Sequence, residues 1–155
     1  GGSAMTAPFT AEHDRQRGFL EVMDEAGLEV DPVLEPYGHF TVAGGEQAMT
    51  ALLTQRNRPT AVFAMSDEMA FGALRALRSH GLSAGSDISI IGVDGHDMAE
   101  LLDLSTVAQP VIDLGRMAAE ALLVQIGSVT ALRSGESVQL PTRLLVRGST
   151  APPAA

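Results

Sequence analysis

Apolar positions along the chain follow two alternating patterns, helical spacing and short continuous runs. Helical spacing places Phe19, Val22, Met23 and Ala26 on one face, and Gly27 follows in the position that commonly ends a helix. Three later helices are predicted on the apolar sets Ala48, Met49, Leu52 and Leu53, then Ala70, Ala73, Leu74 and Leu77, then Leu114, Ala118, Ala121 and Leu122. These helices are separated by short segments with a different pattern.

The separating segments have the composition of strands. Residues 60–65 (TAVFAM) and 87–93 (DISIIGV) have the nearly continuous apolar character of strands buried on both faces. Extended segments are also predicted near 33–34, in 104–110 and in 138–150. Alternating strands and helices predict an α/β fold with a parallel sheet flanked by helices on both faces. Because the first helix has no strand before it, we expect the chain to be part of a longer protein.

Composition and net charge exclude several functional classes for this chain. The chain has 155 residues, enough for one ordinary domain, and a net charge of −9, which disfavours nucleic-acid binding by these residues alone. All ten basic residues are arginine and cysteine is absent, which excludes lysine-dependent catalysis and thiolate chemistry. No apolar run approaches the roughly 18 residues of a membrane span, so no membrane association is expected.

Polar side chains follow the predicted strands, where ligands bind in open parallel sheets. Ser66 and Asp67 follow the first strong strand, and either is equally explained as a helix N-cap. Asp94 follows the next strong strand, with a turn-forming role as its alternative. Arg15 emerges from the apolar face of the first helix, and Phe40 either forms a flat wall for a ligand or pins its loop to the core. Such a set suits a polyol, and it could also hold an anion.

Metal binding and catalysis have little support in the sequence. The four histidines, His13, His39, His80 and His96, show no close helical pairing of the kind that zinc sites use. No G-x-G-x-x-G motif is present. We therefore predict no metal site, no cofactor and no enzymatic activity.

Three longer segments, taken in order, carry a family resemblance. They are PTAVFAMSDEMAFGALRALRSHGLSAGSDISIIGVDG, LSTVAQPVIDLGRMAAEALL and LPTRLLVRGST, preceded by R-x-x-G-F at 15–19. The chain resembles the C-terminal part of the LacI/GalR transcriptional regulators over nearly its whole length. The resemblance implies a partial type I periplasmic-binding-protein-like fold, in which a small-molecule effector is held between two lobes.

The resemblance also implies roles for particular residues. Arg15 and Asp94 match the family's effector-binding arginine and aspartate, and Ser66 stands where many members carry a ligand-binding asparagine. Phe40 stands at the position of an aromatic wall, and Gln109 lies in the segment that crosses to the other lobe. A second set matches positions that pack across a two-fold axis in the family and implies a homodimer: Phe71, Met98, Leu101 and Leu102. From its place beside the helix's core stripe, Phe71 is expected to be exposed.

The family pattern divides the chain into three parts. Residues 1–103 correspond to the second lobe without its first strand, 104–150 to the crossover, closing helix and final strand, and 151–155 to a disordered tail. The implied function is sensing of a sugar or related effector by a cytoplasmic regulator, whose DNA contacts would belong to a helix-turn-helix outside this chain. The alternative is a periplasmic sugar-binding protein of a transport system. The final R-G-S-T is more typical of the regulators.

Overall fold

A computed structural model describes residues 10–126 and 138–152, and a four-stranded sheet lies at its centre. The elements in chain order are α1 (Thr10–Glu25), a 3₁₀ turn (Pro32–Leu34), α2 (Val42–Leu53), β1 (Ala61–Phe63), α3 (Asp67–Ser79), β2 (Ser89–Asp94), α4 (Asp97–Leu101), β3 (Ser105–Ala108), α5 (Val111–Gln125) and β4 (Arg143–Leu145). The strands are adjacent in the order β1-β2-β3-β4. The predicted α/β fold is confirmed.

The sheet is parallel over three strands and antiparallel at the fourth. β1 pairs with β2, and β2 with β3, in parallel, so the carboxyl ends of these strands lie at one edge. β4 pairs with β3 in the opposite direction, which makes the sheet mixed rather than wholly parallel as predicted. In the parallel register Asp94 is opposite Ala108, so the ends of β2 and β3 coincide.

Helices cover both faces of the sheet, as the sequence predicts. Ala64 lies directly after β1 and packs in the main buried cluster with side chains of α2 and α3. The ring of the preceding residue, Phe63, stacks on Phe19 of α1, with 5.7 Å between the ring centres. Because successive side chains of an extended segment point to opposite faces, α1 lies across the sheet from α2 and α3.

The C-terminal segment is bound to the sheet by hydroxyl groups. The Ser149 hydroxyl donates to the carbonyl oxygen of Ile90 (2.6 Å) and accepts from the backbone N–H of Ser105 (2.8 Å), so it joins β2 to β3. Arg147 Nη1 donates to the carbonyl oxygen of Leu104 at 2.6 Å. Residues of the R-G-S-T sequence therefore hold the C-terminal segment on the sheet by bonding to backbone groups of Ile90, Leu104 and Ser105.

Three local expectations are corrected by the structure. Val33–Leu34 forms part of a 3₁₀ turn rather than an extended segment, because Pro32 occupies its first turn and the Asp31 carboxylate accepts from the Val33 N–H. Val22 is 63% exposed and lies outside the apolar face of α1. Ala151 belongs to the fold rather than to a disordered tail, since its N–H and carbonyl both bond to the Ser89 hydroxyl.

Helix α5 forms where it is predicted, but its apolar face is exposed. Leu114 is 42% and Leu122 63% exposed, and Ala118 and Ala121 are exposed as well. Among the α5 side chains that the structure describes, only Met117 and Val124 are partly buried. Despite this apolar character, no helix within 10–126 and 138–152 is both long and apolar enough to cross a bilayer.

Candidate functional site

Arg15 and Asp94 form an ion pair at the carboxyl edge of the sheet. Arg15 projects from the second turn of α1, and its Nη2 donates to Asp94 Oδ1 at 3.1 Å. Its Nη1 donates to the carbonyl oxygen of Met65, just beyond the end of β1. The side chains are 22% and 33% exposed, so the pair is partly shielded but open to solvent. The structure thus brings together the two charged residues that the sequence singled out.

Gln109 is the third member of this group, which we call the rim cluster (Arg15, Asp94 and Gln109). Its Nε2 donates to Asp94 Oδ1 at 2.6 Å, and its backbone N–H donates to the Asp94 carbonyl oxygen at 3.1 Å. Asp94 Oδ1 therefore accepts two side-chain hydrogen bonds. No group in the described part of the chain donates to Oδ2, which leaves one carboxylate oxygen able to accept from a ligand.

The backbone at Asp94 is held in an unusual conformation. Asp94 has φ +127° and Gly95 has φ +77°, in the region that side chains rarely adopt. A Cβ added at Gly95 would lie 2.6 Å from Cβ of Ala108, so the turn approaches β3 too closely for any other residue. Strain of this kind costs on the order of 1–3 kcal/mol and is concentrated at functional sites. The turn fixes the Asp94 carboxylate at the end of the sheet.

Ser66 and Asp67 have separate roles at the start of α3. The Ser66 hydroxyl accepts from the Met69 N–H at 3.2 Å, and Ser66 is 3% exposed. Asp67 is fully buried: its Oδ1 accepts from the Thr106 hydroxyl and its Oδ2 from the His96 N–H, each at 2.7 Å. Ser66 is therefore the helix cap, and it is not bonded to the rim cluster. Asp67 joins α3 to β3 and to the turn before α4.

A cavity beside β1 does not coincide with the rim cluster. Its volume is about 820 Å³, and it runs along β1 between α1 and α2. Phe40, which has φ +53°, lines it together with Phe19, Phe63 and Met65, whereas no member of the rim cluster does. We place the candidate site at the rim cluster, because converging charges and an available carboxylate oxygen provide specific recognition, whereas the cavity is mainly apolar.

Of the residues predicted at a dimer interface, Met98 and Leu101 lie in α4, Leu102 ends that helix, and Phe71 lies in α3. Leu101 is 75% and Met98 42% exposed, while the intervening Ala99 is fully buried and anchors the helix. Phe71 is partly buried against the main cluster, and its ring meets the His96 ring edge-on at 5.5 Å, so the expectation that it is exposed is wrong. Leu102, which ends α4, is partly buried.

A family model for periplasmic binding protein-like domains matches residues 4–150. The chain belongs to the periplasmic binding protein-like domain family. This membership confirms the type I fold implied by the sequence resemblance.

Relatives of this periplasmic binding protein-like chain are transcriptional regulators. It is 38% identical to the HTH-type transcriptional repressor CytR of Escherichia coli over 141 residues, 89% of this chain and 40% of that protein. It is 40% identical to the ribose operon repressor of Haemophilus influenzae over 115 residues, 73% of this chain and 35% of that protein. The resemblance to LacI-family regulators is confirmed, and the chain spans about 40% or less of the length of these relatives.

A solved structure is similar over most of the chain. The LacI family transcriptional regulator from Enterococcus faecium, with bound ribose, has 38% sequence identity and a TM-score of 0.79. The match covers 90% of this periplasmic binding protein-like chain and 51% of the other. The described relatives are regulators rather than enzymes.

Two contacts of this family member were not predicted from its sequence. The first is the bond from the Gln109 amide to Asp94, and the second is the bond from Arg15 to the Met65 carbonyl oxygen. The first had a usable signal, since Asp94 ends one predicted strand and Gln109 lies near the end of the next predicted extended segment. The second had none, because a backbone carbonyl is present at every position.

Proposed function

We propose that this chain is the effector-sensing part of a DNA-binding transcriptional regulator and that the rim cluster binds a sugar or related polyol. The observation that carries the proposal is the bonded Arg15–Asp94 pair, which leaves Asp94 Oδ2 available at the carboxyl edge of the sheet. A hydroxyl group can donate to that oxygen and accept from the guanidinium. Ribose is the ligand named for the Enterococcus faecium regulator, and a ribose operon repressor is a relative.

The charges of the rim cluster favour a neutral ligand over an anion. Arg15 and Asp94 compensate one another, so the cluster has no net positive charge to attract an anion, and the available oxygen would repel one. Phe40 would supply an apolar wall from the cavity that Met65 also lines, since the Met65 carbonyl oxygen accepts from Arg15. Ser66 would act indirectly, by capping the helix that follows β1.

The remaining assignments extend the proposal to the whole regulator. Residues 1–103 would form one lobe, and 104–150 would supply the crossover, with the exposed face of α5 packing on another lobe. DNA contacts would come from a helix-turn-helix outside this chain, because its net charge of −9 disfavours contact with phosphate. A regulator of this kind would act in the cytoplasm. The repressor relatives support this function over a transport protein.

Asp94→Ala is expected to weaken binding of ribose by at least about tenfold, because a hydrogen bond to a charged group contributes roughly 1.5–3 kcal/mol. NMR titration of the full chain with ribose measures the change. Asp24→Ala, which removes an exposed carboxylate from α1, is the matched control and should bind as the parent does. Equal affinity of parent and Asp94→Ala would refute the role of Asp94. Weak binding by the parent is expected, because the resemblance places the opposite wall of the site in another lobe.

We also propose a homodimer in which α4 packs against its copy around Leu101 and Met98. Two exposed apolar side chains on one short helix are best buried by a symmetric contact, to which the partly buried Phe71 and Leu102 would contribute. Light scattering at micromolar concentration should give the dimer mass for the parent and the monomer mass for Met98→Glu combined with Leu101→Glu. Phe71 is left unchanged because its ring is partly buried.

Ile112→Glu is the control for this experiment. Ile112 is 84% exposed on α5, so the substitution introduces the same charge at an apolar site outside the proposed interface. It should leave the dimer intact. A monomeric parent would rule out the homodimer, and dissociation by Ile112→Glu alone would move the contact to α5.

A further inference from the structure

Gln109 is joined to Asp94 by two hydrogen bonds and lies two residues before the start of α5. Its side-chain amide donates to Asp94 Oδ1 at 2.6 Å, and its backbone N–H donates to the Asp94 carbonyl oxygen at 3.1 Å. The next residue, Pro110, has no N–H and forms the N-cap of α5 without a side-chain capping bond. The chain therefore passes from Asp94's partner directly into the helix.

The first turn of α5 has few other restraints among the described residues. Val111 is 63% and Ile112 84% exposed, and Leu114 is 42% exposed. The Leu114 N–H donates to the Pro110 carbonyl oxygen, so the turn is bonded to the segment that Gln109 holds. Within this chain, the described hydrogen bonds of Gln109 and Pro110 are therefore the restraints that set the position of this turn.

Asp94, which accepts from the Gln109 amide, is the residue of the rim cluster whose hydrogen bonds a ligand would alter. Asp94 Oδ1 is shared between Gln109 and Arg15, and the Asp94 backbone is strained at φ +127°. A ligand that bonds to this carboxylate, or a proton on it, weakens Oδ1 as an acceptor and alters both side-chain bonds together. The Gln109 bond would transmit that change to α5.

We propose that Gln109 is a positioning residue that couples the state of the Asp94 carboxylate to the start of α5. The coupling rests on the proposed function for its biological meaning, since the effector would be the natural input at Asp94. The carboxylate can also be changed by protonation, which needs no effector. The coupling can therefore be measured independently of ligand binding.

An acid titration of the full chain by NMR tests the coupling. The Asp94 side-chain carboxyl carbon and the backbone amides of residues 111–115 are followed from about pH 7 to about pH 3, a range that spans the ordinary titration of aspartate. Every protein carries Asp113→Asn, because Asp113 is a second carboxylate, lies in the first turn of α5 and pairs with Arg116. Arg15 is the other charged group at Asp94.

The expected result is that the α5 amides shift with the same midpoint as the Asp94 carboxyl carbon. Gln109→Leu should abolish this shared component while Asp94 itself continues to titrate, and Gln109→Asn, whose shorter side chain falls short of Oδ1, should reduce it. Gln47→Leu, at an exposed glutamine of α2, should leave it unchanged. A side chain that merely fills space would not make the α5 shifts follow Asp94.

Two results would overturn the proposal: α5 amides that do not move with Asp94 in the parent, or an undiminished shift in Gln109→Leu. If Gln109→Leu proves unfolded, Gln109→Asn decides by the same criterion. In a second arm, addition of ribose should shift the α5 amides in the parent and not in the folded Gln109 variant. The acid titration alone decides the coupling, whether or not this chain binds ribose.

Discussion

Asp67→Ala is expected to lower the free energy of unfolding by about 3 kcal/mol or more. The carboxylate is fully buried and accepts from the Thr106 hydroxyl and the His96 N–H. Each hydrogen bond to a charged group contributes roughly 1.5–3 kcal/mol, and its loss leaves two donors without their acceptor. For a chain of this size the midpoint of thermal unfolding should fall by about 6–12 °C. Circular dichroism during heating measures the change.

The neighbouring residue supplies the control for Asp67. Glu68→Ala removes a carboxylate from the same first turn of α3, at a partly exposed position. Its effect should be within about 1 kcal/mol, since only the interaction with the helix dipole is lost. Asp67→Asn should fall between the two, because one oxygen acceptor is retained. Equal unfolding midpoints for Asp67→Ala and Glu68→Ala would show that Asp67 does not join the elements as described.

Gly72→Ala is expected to destabilise the protein by about 3 kcal/mol, the upper part of the usual range for overpacking. A Cβ at this position would lie 2.0 Å from the Val42 carbonyl oxygen and 2.5 Å from the Glu46 backbone nitrogen. These are backbone atoms of α2, so the two helices must separate. Gly45 faces the same crossing from α2, with its added Cβ 2.2 Å from the Met69 carbonyl oxygen. Chemical denaturation measures the loss.

Gly115→Ala is the matched glycine substitution. Gly115 lies within α5, has nothing within 4 Å of an added Cβ, and carries no unusual φ. Alanine there should stabilise the helix by roughly 0.5–1 kcal/mol, the difference in helix propensity. Opposite signs for Gly72→Ala and Gly115→Ala are the expected result. A neutral Gly72→Ala would contradict the close contact of α2 and α3.

Several features were predictable from sequence because their causes are local or carried by motif order. The helical stop at Gly27 is one: it has φ +67°, and the Leu28 N–H donates back to Met23. The strand at 89–94 is another, because a continuous apolar run can be buried only between two faces. Order and spacing of longer segments identified the family, which the comparisons confirm.

The rim cluster was predictable only in part. Arg15 and Asp94 were singled out as a charge on an apolar helix face and a carboxylate at a strand end, and they are bonded in the structure. The Gln109 bond depends on the strand register that sets Asp94 opposite Ala108. No local feature of the sequence specifies that register. Ser66 could be either a cap or a ligand contact until its burial was known.

By itself, the sequence determined the alternation of helices and strands, the family, and the two charged residues at the rim. Tertiary structure decided that Val33–Leu34 is a turn, that the apolar face of α5 is exposed, and that Asp67 joins three parts of the chain. The physical reason is that periodicity records which residues can be buried, whereas burial and hydrogen bonding depend on a partner distant in sequence. A strand needs a neighbouring strand, and an apolar helix face needs a surface to cover it.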